Sequence, residues 1–254
     1  MKLLYSSAQL SKQGGRDYNE DSLFIDEDKG IYIVADGLGG HGGGEEASRI
    51  SVNLMNELLR DSDFNIENLQ SAILKTNERI LKHQQSETHL AKMSTTLVVL
   101  WIREELALWA HVGDSRLYLF FKGLRIFQTT DHSVPQNLVQ AGEIELDDIR
   151  HHEDRNRLRQ ALGQESTPKP TISKRGVKLR PGFAFLLATD GFWEYVLEDE
   201  MIADWCKSAN PKKWLELMED RLVRKVEANH DNYSALAVYM REELQETRTK
   251  TKKE

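Results

Sequence analysis

The chain has 254 residues, 39% of them hydrophobic and 30% charged, which is enough apolar sequence to bury a globular core. A formal charge of −7 excludes a broad nucleic-acid-binding surface, and the single cysteine, Cys206, excludes an intrachain disulfide and fits a reducing compartment. No apolar run is long enough to span a bilayer and the first residues lack a signal-peptide core, so the sequence reads as a soluble, cytoplasmic protein, with a monomer as the separate expectation for its assembly.

In chain order, Arg16 and the pair Glu20–Asp21 precede a first apolar segment at 22–26. A second, 31–35, ends at Asp36 and enters the glycine-rich stretch 37–42. Apolar residues at three- and four-residue spacing then predict helices over 44–61 and 66–85. β-Rich segments follow at 95–102, 106–112, 116–121 and 124–128, and "LALWAHVGDSRLYLFFKGLRIFQ" reads as an antiparallel meander. Residues 131–163 are polar and weakly periodic, an excursion from the sheet of the kind that carries function. A strand at 183–189 runs into Asp190. A helix starts at Pro211, and a strand at 233–240 follows Asp231–Asn232. The charged tail 241–254 reads as disordered. Strands, then paired helices, then strands predict a layered α+β domain rather than βαβ alternation.

"GLGGHG" (37–42) formally fits the dinucleotide pattern G-x-G-x-x-G. Against that, Asp36 would repel a pyrophosphate, and the next segment is a helix, not the second strand of a βαβ unit. The acidic residue nearest the expected distance, Glu57, lies inside the first helix, and no Gly-Lys-Ser/Thr follows the loop. A plain tight turn with Asp36 as a cap is the other account of these glycines.

Four apolar segments each abut one Asp beside a small or turn-forming residue: Asp36–Gly37, Asp114–Ser115, Asp190–Gly191 and Asp231–Asn232. Any one of them is an ordinary turn former. Brought together by adjacent strands, they would repel unless cations or protons intervened. Oxygen-only donors favour Mg²⁺ or Mn²⁺, and a bridging carboxylate could hold two ions about 3.5–4 Å apart, giving a hydroxide able to attack phosphorus in line. Arg16 offers paired N–H donors for phosphate oxygens, or else a surface ion pair with Asp17 or Glu20. "HHEDR" (151–155) lacks zinc spacing and reads as a solvated loop. Cys206 has no phosphate-receiving Arg beside it, and Trp193 and Tyr195 are expected to pack under the Asp190 turn.

"GGRDYNEDS", "VADGLGGHGGGEEAS", "STTLVVL", "HVGDSRLYLF", "TTDHSVPQNLVQAGEI", "NRLRQALG", "LLATDGFWEYV" and "DNYSALAVYM" occur in this order across roughly residues 13–240. With that ordered set the chain resembles the metal-dependent protein phosphatases, the 2C type of Ser/Thr phosphatase, in their compact bacterial form. The resemblance implies a four-layer αββα sandwich of two antiparallel sheets flanked by helices. It also implies one catalytic domain over 1–240 with a mobile flap at about 131–163. Asp36, Asp190 and Asp231 would bind one Mn²⁺ or Mg²⁺, and Asp36 would bridge to a second ion that also takes the Gly37 carbonyl. Glu20 and Asp21 would act near that second ion through its waters, and Asp114 with Asp190 matches a third, weaker site. Arg16 matches the phosphate-binding arginine and, with Asp36 and Asp190, forms the implied catalytic set. The implied activity is hydrolysis of phosphoserine and phosphothreonine in proteins by a metal-activated water, in opposition to a bacterial Ser/Thr kinase. Leu38 stands where animal members carry a His proposed as general acid; His41 is nearby in a different register. A phosphoprotein-binding regulatory module is the alternative, and the complete carboxylate set argues against it.

Overall fold

The computed structural model describes residues 3–39, 43–86 and 88–242. His41 and residues 243–254 of the charged tail, on which expectations were placed above, lie outside them; Arg241 and Glu242, expected to be disordered with the tail, instead end the last strand, paired with Leu4 and Leu3. The chain opens with β1 (Leu3–Lys12), β2 (Ser22–Asp26), β3 (Ile31–Ala35) and the short β4 (Gly37–Leu38), followed by α1 (Gly43–Leu59) and α2 (Ile66–Ser86). Next come β5 (Ser94–Thr95), β6 (Leu97–Arg103), β7 (Leu106–Val112), β8 (Arg116–Phe121) and β9 (Leu124–Gln128). The excursion contains α3 (Val134–Ala141), and after it β10 (Thr171–Ile172), β11 (Val177–Lys178) and β12 (Phe183–Ala188) return to the sheets. The chain then passes through α4 (Asp190–Trp193), α5 (Glu198–Lys207) and α6 (Pro211–Lys225) into β13 (Tyr233–Glu242).

The main strands form two antiparallel sheets, ordered β1-β13-β12-β8-β9 and β10-β7-β6-β3-β2 with β11 also pairing with β7, while β4 and β5 pair separately. Strand periodicity fixes the layers. In β3, Ile31, Ile33 and Ala35 pack with α1 and α2, while Tyr32 and Val34 face the other sheet. In β12, Ala184, Leu186 and Ala188 pack with α5 and α6, while Phe183, Phe185 and Leu187 meet β3 and β6 across the sandwich. Helices, sheet, sheet and helices therefore stack as the four layers the resemblance implied. The helix boundaries have local causes. Asn210 caps α6 by accepting from Lys213 N at 2.8 Å, and Pro211 occupies the first turn. Ser133 caps α3, which stops at Gly142 with φ 75°.

The proposed meander needs correction. β8 and β9 pair as a hairpin, but β7 belongs to the other sheet. The chain crosses between sheets at Gly113, whose φ of 101° suits glycine and ends the β7 ladder. This crossing leaves Asp114 at the end of the cleft between the sheets.

Candidate active site

Topology brings the acidic strand ends together. β3 and β7 both run antiparallel to β6, so Asp36 and Asp114 leave the same end of one sheet. In the other sheet Ala188 pairs with both Ala235 and Arg116, so the exit of β12 lies beside the entries of β13 and β8. A pocket of about 230 Å³ opens at that end, with Arg16, Glu20, Asp36, Gly37, Asp114, Asp190 and Asp231 on its wall. Asp21, the remaining residue of the expected set, lies behind the pocket. It is buried and accepts from Thr189 Oγ1 at 3.0 Å.

Backbone hydrogen bonds hold these positions. Asp36 N donates to Thr96 Oγ1 at 2.9 Å, and its carbonyl accepts from Thr95 Oγ1 at 2.7 Å. Gly37 N donates to the Glu20 carbonyl at 3.1 Å. Asp190 and Asp231 each accept from the following backbone N–H, at 2.6 and 2.8 Å. Asn232, given no role of its own in the sequence reading, ties the N-terminal segment on. Its Oδ1 accepts from Glu20 N at 2.8 Å, and its Nδ2 donates to the carbonyls of Gln13 and Tyr18 at 2.6 and 2.8 Å. Arg16 pairs with Asp231 at 2.7 Å, not with Asp17 or Glu20, and its side chain stays 54% exposed. Trp193 is buried as expected. Its indole donates to the Asp114 carbonyl at 3.0 Å, and the Arg116 guanidinium stacks on its ring at 3.4 Å.

The electrostatics are lopsided. Asp36 and Asp190 keep a face open to the pocket, yet burial, followed by the neighbouring carboxylates, pushes both towards the protonated form. Asp114 is likewise raised, by burial and then by Asp190 and Asp131. Asp21 is raised to about 7, first by burial, with Asp190 and Asp231 adding to it. Among the described residues no three acidic, His or Cys side chains are already drawn in around one ion-sized point. The carboxyl groups are turned to each other, to backbone N–H groups and to Arg16.

Residues 131–163 supply the remaining wall through Asn156 and Leu158, which composition alone did not single out. The segment is tied to the sandwich at both ends. His132 N donates to the Gly113 carbonyl at 2.9 Å, and Thr95 and Leu162 exchange backbone bonds at 3.0 and 2.8 Å. His152 accepts from Asp154 N at 3.0 Å within its own loop. A larger cavity, about 770 Å³, lies at the opposite end of the sheets around the turns at Lys29–Gly30 and Arg103–Leu106. Its carboxylates, Glu27, Asp28, Asp61, Asp63 and Glu104, share the lining with Lys29, Arg60 and Arg103, and Lys29 pairs with Asp61 at 2.8 Å.

An antiparallel two-sheet sandwich with an acidic pocket at one end defines the class: a hydrolase of the α+β phosphatase type. The family model described as "Protein phosphatase 2C" matches residues 11–230. The serine/threonine phosphatase stp of Listeria innocua is 36% identical over 195 residues, 73% of this chain and 77% of its own. The structure of the Mycobacterium tuberculosis serine/threonine phosphatase PstP/Ppp superposes with a TM-score of 0.81 at 26% identity, covering 95% of this chain and all of that one. The PstP catalytic domain in complex with two manganese ions gives a TM-score of 0.80 at 26% identity, covering 94% of this chain and all of its own. The chain belongs to the protein phosphatase 2C family, among its bacterial Ser/Thr phosphatases.

Proposed function

We propose that this Ser/Thr phosphatase hydrolyses phosphoserine and phosphothreonine in proteins with the help of two divalent ions, Mn²⁺ or Mg²⁺. Asp36, Asp190 and Asp231 would hold one ion, and Asp36 with the Gly37 carbonyl the second. Glu20 and Asp21 would support the second ion through water, and Asp114 with Asp190 would take a weaker third. The observation that carries this reading is the convergence of Asp36, Asp114, Asp190 and Asp231 in one pocket on whose wall, among the described residues, Arg16 is the single cationic side chain. The donors are all oxygen, which suits hard divalent ions. Carboxyl groups forced towards protonation by burial and mutual repulsion are groups that a cation would relieve. The two manganese ions in the PstP catalytic domain support the same assignment.

Bound cations would acidify water and offset the charge on the phosphoryl group. The chain's own contribution is placement. Arg16 is held over the pocket by Asp231 with over half its side chain exposed, so its donors are free to turn onto phosphate oxygens. Asn232 fixes the segment that carries it. Leu38 and Leu158 put apolar surface on an otherwise polar wall, and among the described residues no histidine lines it. Residues 131–163 act as a flap beside the pocket. The enzyme would act in the cytoplasm as a monomer, opposing a Ser/Thr kinase; among the described residues no helix is long and apolar enough to cross a membrane.

The test is phosphate release from a phosphothreonine peptide in Mn²⁺. Chelator should abolish it, and Asp190→Asn should lower turnover at least about a hundredfold, the scale of losing a charge-stabilising group. Turnover that survives chelation would overturn the mechanism.

A further inference from the structure

The wall of the catalytic pocket leads along the chain towards two further hollows. Asn156 and Leu158 line it, and the next residues along the chain, Arg159 and Gln160, line a second hollow of about 620 Å³. Thr130 and Thr171 are shared between that hollow and a third of about 330 Å³. The third lies at the open side of the sandwich, between edge strand β9 of one sheet and edge strand β10 of the other. We propose that these hollows form one substrate trough, in which an acidic segment of the phosphoprotein lies extended and seats an apolar side chain against Trp109 and Phe127. The proposal rests on the phosphatase reading above and adds the substrate class.

Charge identifies the occupant. Arg159, Lys169, Lys174 and Arg175 stand along the two outer hollows, all exposed. None has an ion-pair partner among the described residues, on a chain whose net charge is −7. The one carboxylate on these walls, Asp131, is buried and spent on Arg116 in two hydrogen bonds of 2.9 and 2.7 Å. Four unmatched cations in a row attract an acidic partner and repel a basic one. The outermost hollow adds an anchor point. Trp109 and Phe127 meet with ring centroids 4.9 Å apart, Phe127 is 37% exposed, and Ile172 and Val177 complete an apolar socket. Its volume is on the scale of one or two large side chains, and hydrophobic sockets of this kind carry most of a peptide's binding energy. Both flanking strands are sheet edges, whose free backbone groups suit an extended peptide. The 770 Å³ cavity at the far end lacks this pattern, since its cations sit among Glu27, Asp28, Asp61 and Asp63.

The experiment uses the full chain in Mn²⁺ with three substrates: p-nitrophenyl phosphate, a phosphothreonine peptide flanked on both sides by Asp/Glu residues and a distal Phe, and the same peptide with Lys and Ser in those places. The acidic peptide should show a KM about tenfold lower, a gap that closes as salt screens the charges. Lys174→Glu with Arg175→Glu should erase that preference without changing kcat or p-nitrophenyl phosphate turnover. Phe127→Ala should raise KM for the Phe-bearing peptide alone. Equal KM values for both peptides, or a preference untouched by the charge reversals while p-nitrophenyl phosphate is still hydrolysed, would overturn the trough. So would variants that only dissociate a dimer, since the face would then meet a second copy of the chain. A wild-type chain inert towards all three substrates would instead overturn the phosphatase reading.

Discussion

At the scale of single residues, the site depends on where the fold forbids atoms as much as on the groups it supplies. Gly37 sits where the Glu20 segment and the start of α1 close on β4. A Cβ there would fall onto the Gly44 backbone and within 2.5 Å of the Glu20 carbonyl. Neither obstacle is a flexible side chain, so the backbone beside Asp36 would have to move. Gly37→Ala is therefore expected to cost more than about 2 kcal/mol and to remove Mn²⁺-dependent activity. Gly142 provides the control. Its φ of 75° strains an alanine, but nothing lies within 4 Å of the added carbon. Gly142→Ala should cost only about 1–2 kcal/mol and spare activity. Urea midpoints for the two variants check the contrast, and equal losses would refute the packing argument. The Asp residues of the pocket were legible in sequence because each ends or precedes an apolar segment. Asn232 and Thr189 were not legible as more than turn formers. Their partners, Glu20 and Asp21, lie 212 and 168 residues away, and only the fold connects them.

Among the elements, the crossing from β7 to β8 organises the wall behind the pocket. Arg116, at the first position of β8, is 2% exposed and forks onto Asp131 at the head of the excursion. Burial pulls its pKa down, but Asp131 outweighs that and keeps the guanidinium charged. Its plane lies on Trp193, whose indole holds the Asp114 carbonyl, so one ion pair links β8, the β7–β8 crossing, α4 and the base of the excursion. Arg116→Ala would leave Asp131 buried without a counter-charge and is expected to cost about 3–5 kcal/mol. Replacing both partners, Arg116→Met with Asp131→Leu, should recover much of that loss, because removing the pair removes the desolvation penalty as well. Equilibrium denaturation of the three variants measures the coupling; a double variant as unstable as Arg116→Ala would show that the pair itself, not the orphaned charge, is what matters. The elements hidden from the sequence share a physical reason. Leu3 is the one buried residue of β1, and the strand's ten-residue register is set by β13 at the far end of the chain. α3 is short and buries only Pro135 and Gln136, so it shows little apolar periodicity. By contrast β3, β7, β8 and β9 lie at the predicted residues, since short apolar runs bounded by turn formers have few other ways to fold.

For the whole molecule, gathering so many carboxyl groups at one end of the sandwich makes stability depend on protons and cations together. Asp21 and Glu194 are both raised to about 7, first by burial and then, among other charges, by Asp190; Asp36, Asp114 and Asp190 are raised as well. A carboxyl group with a raised folded pKa stabilises the fold below its unfolded value near 4, and that contribution is lost as pH rises through the folded value. Two histidines work in the other direction. His111 and His132, stacked with centroids 4.6 Å apart, are lowered to about 4, both chiefly by burial. Their contribution is complete above the ordinary His value near 6.5 and lost as pH falls towards 4. The two effects oppose each other below pH 6.5, so the carboxyl effect is isolated between pH 6.5 and 8. In chelator, the melting temperature should fall across that window by at least about 3 °C, the scale of 1 kcal/mol or so in a chain of this size. Saturating Mn²⁺ should cancel or reverse the slope, because ligation requires the deprotonated carboxylates that a higher pH provides. Scanning calorimetry at pH 6.5, 7.2 and 8.0, with and without Mn²⁺, separates the two curves. A melting temperature that stays level or rises with pH in chelator would mean that the pocket's carboxyl groups do not burden the fold, and the electrostatic case for cations at this end of the sandwich would fail with it.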